Sequence, residues 1–326
     1  MSGVLVVVEL AQGKPAAASL ELLGLARSVA AQAGGGVSAL VFSGDPAIAA
    51  ALVARGADKV FAVTDLAAAE HNSDTWLAYA ERAVTGTGAA LVLAAHTIKG
   101  GDLAPRLAFR LKSAVATGCV AVAAEGGTLR FTRPCYGGNA RETVSFKTLP
   151  AVATVRSGGY DALPADATRH GEIVALDGDL PVSRIRSIER RKESAEQVRL
   201  EDARVIVAGG RGLGGPEGFQ VLGELANALG GIVGASRVPC DLGWCPHSMQ
   251  IGLTGKIVTP DLYVAVGISG ASHHMAGCGS ARNIVAINTD PEAAIFRDAR
   301  FGVVGDFQKI VPALTAEVRK LMSESP

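Results

Sequence analysis

Short apolar runs alternate with helix-periodic segments along most of this chain. Residues 4–9 predict one strand, an apolar run of Val and Leu that ends at Glu9, and residues 19–32 follow with Leu20, Leu23, Ala26, Val29 and Ala30 at helical spacing. Runs at residues 37–42, 59–63 and 90–94 predict further strands, with helices at 46–55 and 74–85 between them. Alternation of this kind predicts parallel strands joined by crossover helices. Residues 96–102 read as a polar loop at a strand's carboxyl end. A helix over residues 103–111 follows, in which Pro105 is tolerable only in the first turn. Between residues 119 and 154 the pattern changes to short strands at 120–123, 128–133, 143–145 and 151–155, separated by Gly- and Asn-containing turns. These predict an antiparallel extension of the first sheet.

Residues 184–204 are about half charged and offer few large apolar groups to bury, which is the composition of a junction. The expected organisation is an N-terminal α/β scaffold and interface domain at 1–185, a charged linker at 186–203 and a C-terminal doubly wound domain at 204–326. In the latter, a strand at 204–208 runs into the glycine turn 209–215 and then a helix at 216–229. Two further runs, 262–268 and 284–287, stop at polar, glycine-containing turns, as buried parallel strands do.

Composition narrows the picture. With 326 residues, 48% hydrophobic, 5% aromatic and 40 glycines, the chain suits a two-domain α/β protein and no fibrous or disordered class. Its 31 basic and 31 acidic residues cancel without forming a basic stripe, which argues against nucleic acid as a partner. No apolar stretch has the ~18 residues of a membrane span. The start shows neither a basic leader nor a cleavage site, so a cytoplasmic location is expected. Five cysteines, an odd number without a secretory signal, are expected to be reduced.

The chemistry gathers after strand ends. Gly210, Gly212 and Gly215 satisfy the dinucleotide fingerprint in the right context of strand, turn and helix. The acidic residue that would bind a ribose some 20 positions on is missing, because residues 234–237 read Gly-Ala-Ser-Arg. This weakens a nicotinamide reading and leaves phosphate or flavin binding open. Arg211 would give a charge-assisted contact to a pyrophosphate. A flavin needs donors at its pyrimidine edge and a cation near it, for which Arg237, His273 and His274 are candidates among Ser236, Gln250, Gly252 and Thr254. Cys240, Cys245, His247 and Cys278 lie in the same stretch, but their spacing is no zinc pattern, and no metal is expected.

At residues 207–213 (VAGGRGL), 233–237 (VGASR), 249–271 (MQIGLTGKIVTPDLYVAVGISGA) and 284–296 (IVAINTDPEAAIF), the chain resembles the α subunit of electron-transfer flavoproteins, the group that includes the FixB proteins. Weaker similarity extends through the first half, including residues 136–140. The resemblance implies FAD in the C-terminal domain and a heterodimer with a β subunit. It also implies flavin dehydrogenases, such as acyl-CoA dehydrogenases, as donors and a quinone reductase as acceptor. Residue by residue it implies Arg211, Ser269, Gly270 and Ala271 at the FAD phosphates. Ser236, Arg237, Thr254 and His274 would lie around the ring, Leu253 and His273 near the flavin, and Asn288, Asp306 and Phe307 at the adenosine half, with Gln250, Ile251, Gly252 and Ser272 also among the cofactor-binding residues. Arg237 and His274 hold the positions that favour an anionic reduced ring in this family.

Three departures stand out against the family pattern. Leu253 replaces a glutamine, His273 replaces the glutamine of a Gln-His pair, and His247-Ser248 replaces Asn-Asp. Losing an amide and gaining an imidazole near the ring predicts a shifted flavin potential. The expected function is that of an electron carrier with no substrate chemistry of its own. An NAD-binding enzyme of the same architecture, transhydrogenase-like or a deacylase, is the alternative.

Overall fold

The computed structural model of the protein describes residues 3–65, 71–138, 140–178, 183–185, 188 and 200–324. The chain divides into two units, residues 1–135 with 140–193, and residues 136–139 with 194–326. Most of the charged stretch expected as a linker, residues 186–187 and 189–199, lies outside the described residues.

In the first unit, strand β1 (Val4–Val8) sends Val4, Val6 and Val8 into one core and Leu5 and Val7 into another. Two-sided burial of this kind belongs to a sheet covered by helices on both faces. A small ribbon, β2 (Leu10–Ala11) with β3 (Lys14–Pro15), leads to α1 (Ala17–Ala33). Then come β4 (Val37–Val41), α2 (Pro46–Ala54), β5 (Lys59–Ala62), α3 (Ser73–Thr87), β6 (Leu91–Ala95) and α4 (Ile98–Arg110), the alternation that the apolar pattern predicts. Local chemistry sets the helix starts. Asp45 accepts the N–H of Ala47 at 2.8 Å ahead of Pro46, and Asn72 accepts from Asp74 and Thr75.

The remaining strands are β7 (Val115–Cys119), β8 (Ala121–Glu125), β9 (Thr128–Cys135), β10 (Ala140–Val144), β11 (Ala151–Val155) and β12 (Glu172–Ala175). Seven strands form a wholly parallel sheet in the order β12-β5-β4-β1-β6-β11-β7. The α/β reading holds, and two of its details change. β8, β9 and β10 make a three-stranded antiparallel sheet of their own and do not extend the large one. β11 belongs inside the parallel sheet, between β6 and β7. All five of its residues are buried, the mark of a strand covered on both faces and not of a half-exposed hairpin strand.

Helix α4 also starts earlier than expected. Thr97 caps it by accepting the N–H of Gly100 at 3.0 Å, so Pro105 sits well past the first turn. Pro105 is on the exposed face, and the carbonyl of half-exposed Gly101, deprived of its N–H partner, can be hydrated there. The polar loop before α4 uses its side chains locally: His96 Nδ1 lies 2.9 Å from Thr154 Oγ1, and Thr97 donates its hydroxyl to buried Glu9 at 2.5 Å.

The second unit runs β13 (Val205–Gly209), α5 (Gly218–Ala228), β14 (Ile232–Ala235), α6 (Arg237–Asp241), β15 (Leu262–Val266), α7 (Ser272–Cys278), β16 (Ile284–Asn288), β17 (Phe301–Val304) and α8 (Phe307–Glu324). Its five strands are all parallel, in the order β14-β13-β15-β16-β17. Ile206, Ala208, Tyr263 and Ala265 face one core while Val207, Val264 and Val266 face the other. The chain steps from β13 out to β14 and then crosses back to β15. That reversal opens a crevice between the carboxyl ends of β13 and β15, the place where doubly wound sheets bind ligands. Among the described residues, no helix is long and apolar enough to cross a membrane.

Candidate functional site

Because every strand of the second sheet points the same way, every loop leaving a carboxyl end lies on one edge. Arg211 follows β13, Ser236 and Arg237 follow β14, and Ser269, Gly270, Ala271, Ser272, His273 and His274 follow β15. Asn288 ends β16, and Asp306 and Phe307 follow β17. Five strands at a spacing of ~4.8 Å make this edge roughly 19 Å long. That is room for an extended nucleotide.

At the switch point the two turns after β13 and β15 are joined backbone to backbone. Gly210 donates its N–H to Val266 O at 2.9 Å and Gly212 donates to Gly267 O at 3.0 Å. Gly267 has φ +62°, and a Cβ there would stand 2.9 Å from the Cα and carbonyl carbon of Gly212. Gly210 and Gly212 of the fingerprint are therefore required by turn-on-turn packing. Arg211, between them in sequence, is left exposed.

A second loop reaches the same edge. Ile251 donates its N–H to Ala235 O at 2.8 Å, which ties this segment to the end of β14, and Leu253 donates to His273 O at 2.7 Å, which ties it to α7. Gln250 is buried and donates its amide to Thr254 Oγ1 at 3.0 Å. Gly252 is buried with φ +146°, whereas Leu253 and Thr254 are exposed.

His274 is 7% exposed and its ring is fully engaged. Nδ1 lies 3.1 Å from the carbonyl of Ile251, which can only accept, so Nδ1 carries the proton. Nε2 then accepts from the hydroxyl of Tyr263 at 2.9 Å. Burial pushes this imidazole down to about 4, so it is neutral at physiological pH. Of the two residues expected to favour an anionic ring, Arg237 is the one that keeps a cation. Its guanidinium is exposed and pairs with Asp241 at 3.0 Å.

The far end of the edge is built by short-range bonds. Asn288 donates to Ile268 O at 2.9 Å and accepts from the N–H of Asp290, bridging the ends of β15 and β16. Asp306 accepts the N–H of Gln308 at 2.9 Å and so starts α8, while Phe307 is buried in the core with Leu222, Leu225 and Val311. Tyr263 was not legible as part of this site. The only signal was a single hydroxyl in an otherwise apolar strand. Among the described residues, no group of three or more His, Cys, Asp or Glu could hold a metal ion.

A doubly wound parallel sheet with polar loops gathered at its switch point defines a nucleotide-binding protein. Residues 4–180 match the family described as the electron transfer flavoprotein domain, and residues 199–279 match the electron transfer flavoprotein FAD-binding domain, which makes the nucleotide FAD. The chain is 40% identical over 318 residues to the electron transfer flavoprotein subunit alpha of Bacillus subtilis (strain 168), covering 98% of each chain. It is 35% identical over 328 residues to Protein FixB of Clostridium saccharobutylicum, covering 98% of this chain and 97% of that one. Over 197 residues, 58% of this chain and 56% of the other, it is 44% identical to the mitochondrial electron transfer flavoprotein subunit alpha of Dictyostelium discoideum. The chain belongs to the electron transfer flavoprotein α-subunit family. That family consists of electron carriers, not of enzymes with a substrate of their own, and membership implies a β-subunit partner.

Proposed function

We propose that FAD lies along the carboxyl edge of the second sheet, with its ring end between Ser236 and Arg237 on one side and residues 250–254 on the other. Arg211 and the turn Ser269, Gly270, Ala271 and Ser272 hold the phosphates, and Asn288 and Asp306 hold the adenosine half. The observation that supports this reading most is the convergence of these residues on one edge at the switch point. The donor set suits the ligand. Arg211, Ser269, Ser272 and Thr254 are exposed, and the first N–H groups of α7 have no helical partner. The tie between Arg237 and Asp241 is an exposed i,i+4 pair, worth well under about 1 kcal/mol, so Arg237 is free to turn to a ligand. Phe307 acts from within the core by fixing the start of α8, which holds Asp306 at the edge.

FAD supplies the redox chemistry, taking up and giving out electrons. The chain positions it: Arg237 places a cation where negative charge develops, and neutral His274 fixes the loop at Ile251 through its own hydrogen bond. The first unit serves as scaffold and as interface to the β subunit. Electrons enter from flavin dehydrogenases, such as acyl-CoA dehydrogenases, and leave to a quinone reductase, with no nucleic acid and no membrane insertion involved. A cytoplasmic setting agrees with five cysteines that are all free. The test is the visible spectrum of the α chain copurified with its β subunit, followed by reduction with an acyl-CoA dehydrogenase and its substrate. Flavin bands that bleach on reduction are expected. An assembled pair without flavin bands would refute the placement.

A further inference from the structure

The chain leaves β14 through Ser236 and comes back beside it at Ile251. Between these points it folds on itself. Leu242, Gly243 and Trp244 donate their N–H groups to the carbonyls of Val238, Cys240 and Pro239 at 3.0, 3.0 and 2.9 Å. Gly243, at φ +73°, reverses the chain and drops Cys245 back onto Cys240, with their sulfurs 3.5 Å apart. A disulfide holds its sulfurs at about 2.05 Å, so closing the gap takes about 1.5 Å, which side-chain rotation can supply. Cys245 is half-buried and Cys240 is 3% exposed. Cys245 is the sulfur that a reagent reaches first, and Cys240 is placed to resolve the adduct.

We propose that Cys240 and Cys245 form a reversible internal disulfide that tightens the excursion between β14 and Gln250. Given the FAD placement above, that excursion carries ring-end residues at both of its ends, Ser236 and Arg237 at one and residues 250–254 at the other, so thiol oxidation is coupled to the flavin. The oxidant is a small-molecule disulfide such as glutathione disulfide. The Cys245 thiolate attacks one of its sulfurs and expels one glutathione thiolate, forming a mixed disulfide. The Cys240 thiolate then attacks Cys245 Sγ, forms the internal bond and expels the second glutathione thiolate. The two protons lost by the cysteines end on the two glutathiones, so the cysteines are oxidised by two electrons and the small disulfide is reduced by two. Burial and the neighbouring Cys240 push the Cys245 thiol up to about 12, and burial and Asp241 raise Cys240. The pair is thus a slow, equilibrating device and not a fast peroxide sensor.

The test uses the α–β heterodimer equilibrated in glutathione buffers of increasing oxidation, then alkylated and digested with trypsin. Residues 238–256 contain no internal Lys or Arg, so both cysteines fall in one peptide. That peptide is expected to lose both alkyl labels and the mass of two hydrogens, while the alkylated thiols of this chain, counted peptide by peptide, fall from five to three. Cys240→Ser and Cys245→Ser should each end as a glutathione adduct or a free thiol without the internal bond. In the oxidised wild type, the amides of residues 250–254 should exchange about fivefold slower or more, the low end of ordinary coupling between sites. The proposal is overturned if both labels persist in the most oxidising buffer, or if the bond forms and exchange at residues 236–237 and 250–254 stays the same. Slower exchange with FAD release unchanged would support the disulfide device and count against the FAD placement.

Discussion

Acidification is the perturbation that the buried His274 registers most directly. Desolvation dominates and lowers its imidazole from 6.5 to about 4, while the bond to Ile251 O pulls the other way. Between those two values the unfolded chain binds a proton that the folded chain refuses. The contribution to stability is therefore full above the unfolded value and is lost as pH falls through the folded one. The whole displacement corresponds to about 3 kcal/mol, of which about 2 kcal/mol is gone by about pH 5. Against a domain stability of about 5–15 kcal/mol, that is a large fraction. The assay is urea unfolding near neutral pH and at about pH 5, read from exchange protection of β13 and β15 peptides, beside an NMR titration of the imidazole. His274→Gln removes the titrating group, so the difference between wild type and variant isolates it. Equal pH slopes in the two proteins, with an imidazole titrating in the ordinary histidine range, would refute the reasoning.

Two further outcomes follow from close contacts at the same edge. Gly267→Ala forces a left-handed alanine, costing about 1–2 kcal/mol, and presses a methyl group onto the backbone of Gly212, adding about 1–3 kcal/mol. Thermal melting should show that loss together with poorer retention of FAD; a melting point equal to wild type would mean the two turns are not locked together. Leu253→Gln and His273→Gln should each move the potential of the bound flavin by about 40 mV, the worth of one hydrogen bond of about 1 kcal/mol. Since the N–H of Leu253 bonds to the carbonyl of His273, the double variant should not be additive. Redox titration with both couples unchanged would remove any role for these two departures.

Much of the fold was legible because parallel strands buried on both faces read as plain apolar runs. β1, β4, β5, β6, β13, β15 and β16 all announce themselves that way. β11 has the same signature, but the glycine-rich turns around it imitate a hairpin series, and its partners β6 and β7 are set by tertiary pairing that no local pattern encodes. β17 was invisible since its four residues are all exposed and show no alternation. The site's location followed from the shared direction of the strands, which puts every polar strand-end loop on one edge. Its inner bonding did not. Sequence cannot tell that His274 spends both nitrogens on Tyr263 and Ile251, that Gly210 and Gly212 meet Gly267, or that Cys240 and Cys245 touch.

The placement of the flavin ring beside Arg237 is tested most directly by the first-electron reduction potential of the bound flavin in the α–β heterodimer of Arg237→Gln. With the full complement of FAD retained, loss of a cation near the ring should lower that potential by on the order of 100 mV. A fully loaded variant with the wild-type potential would contradict the account.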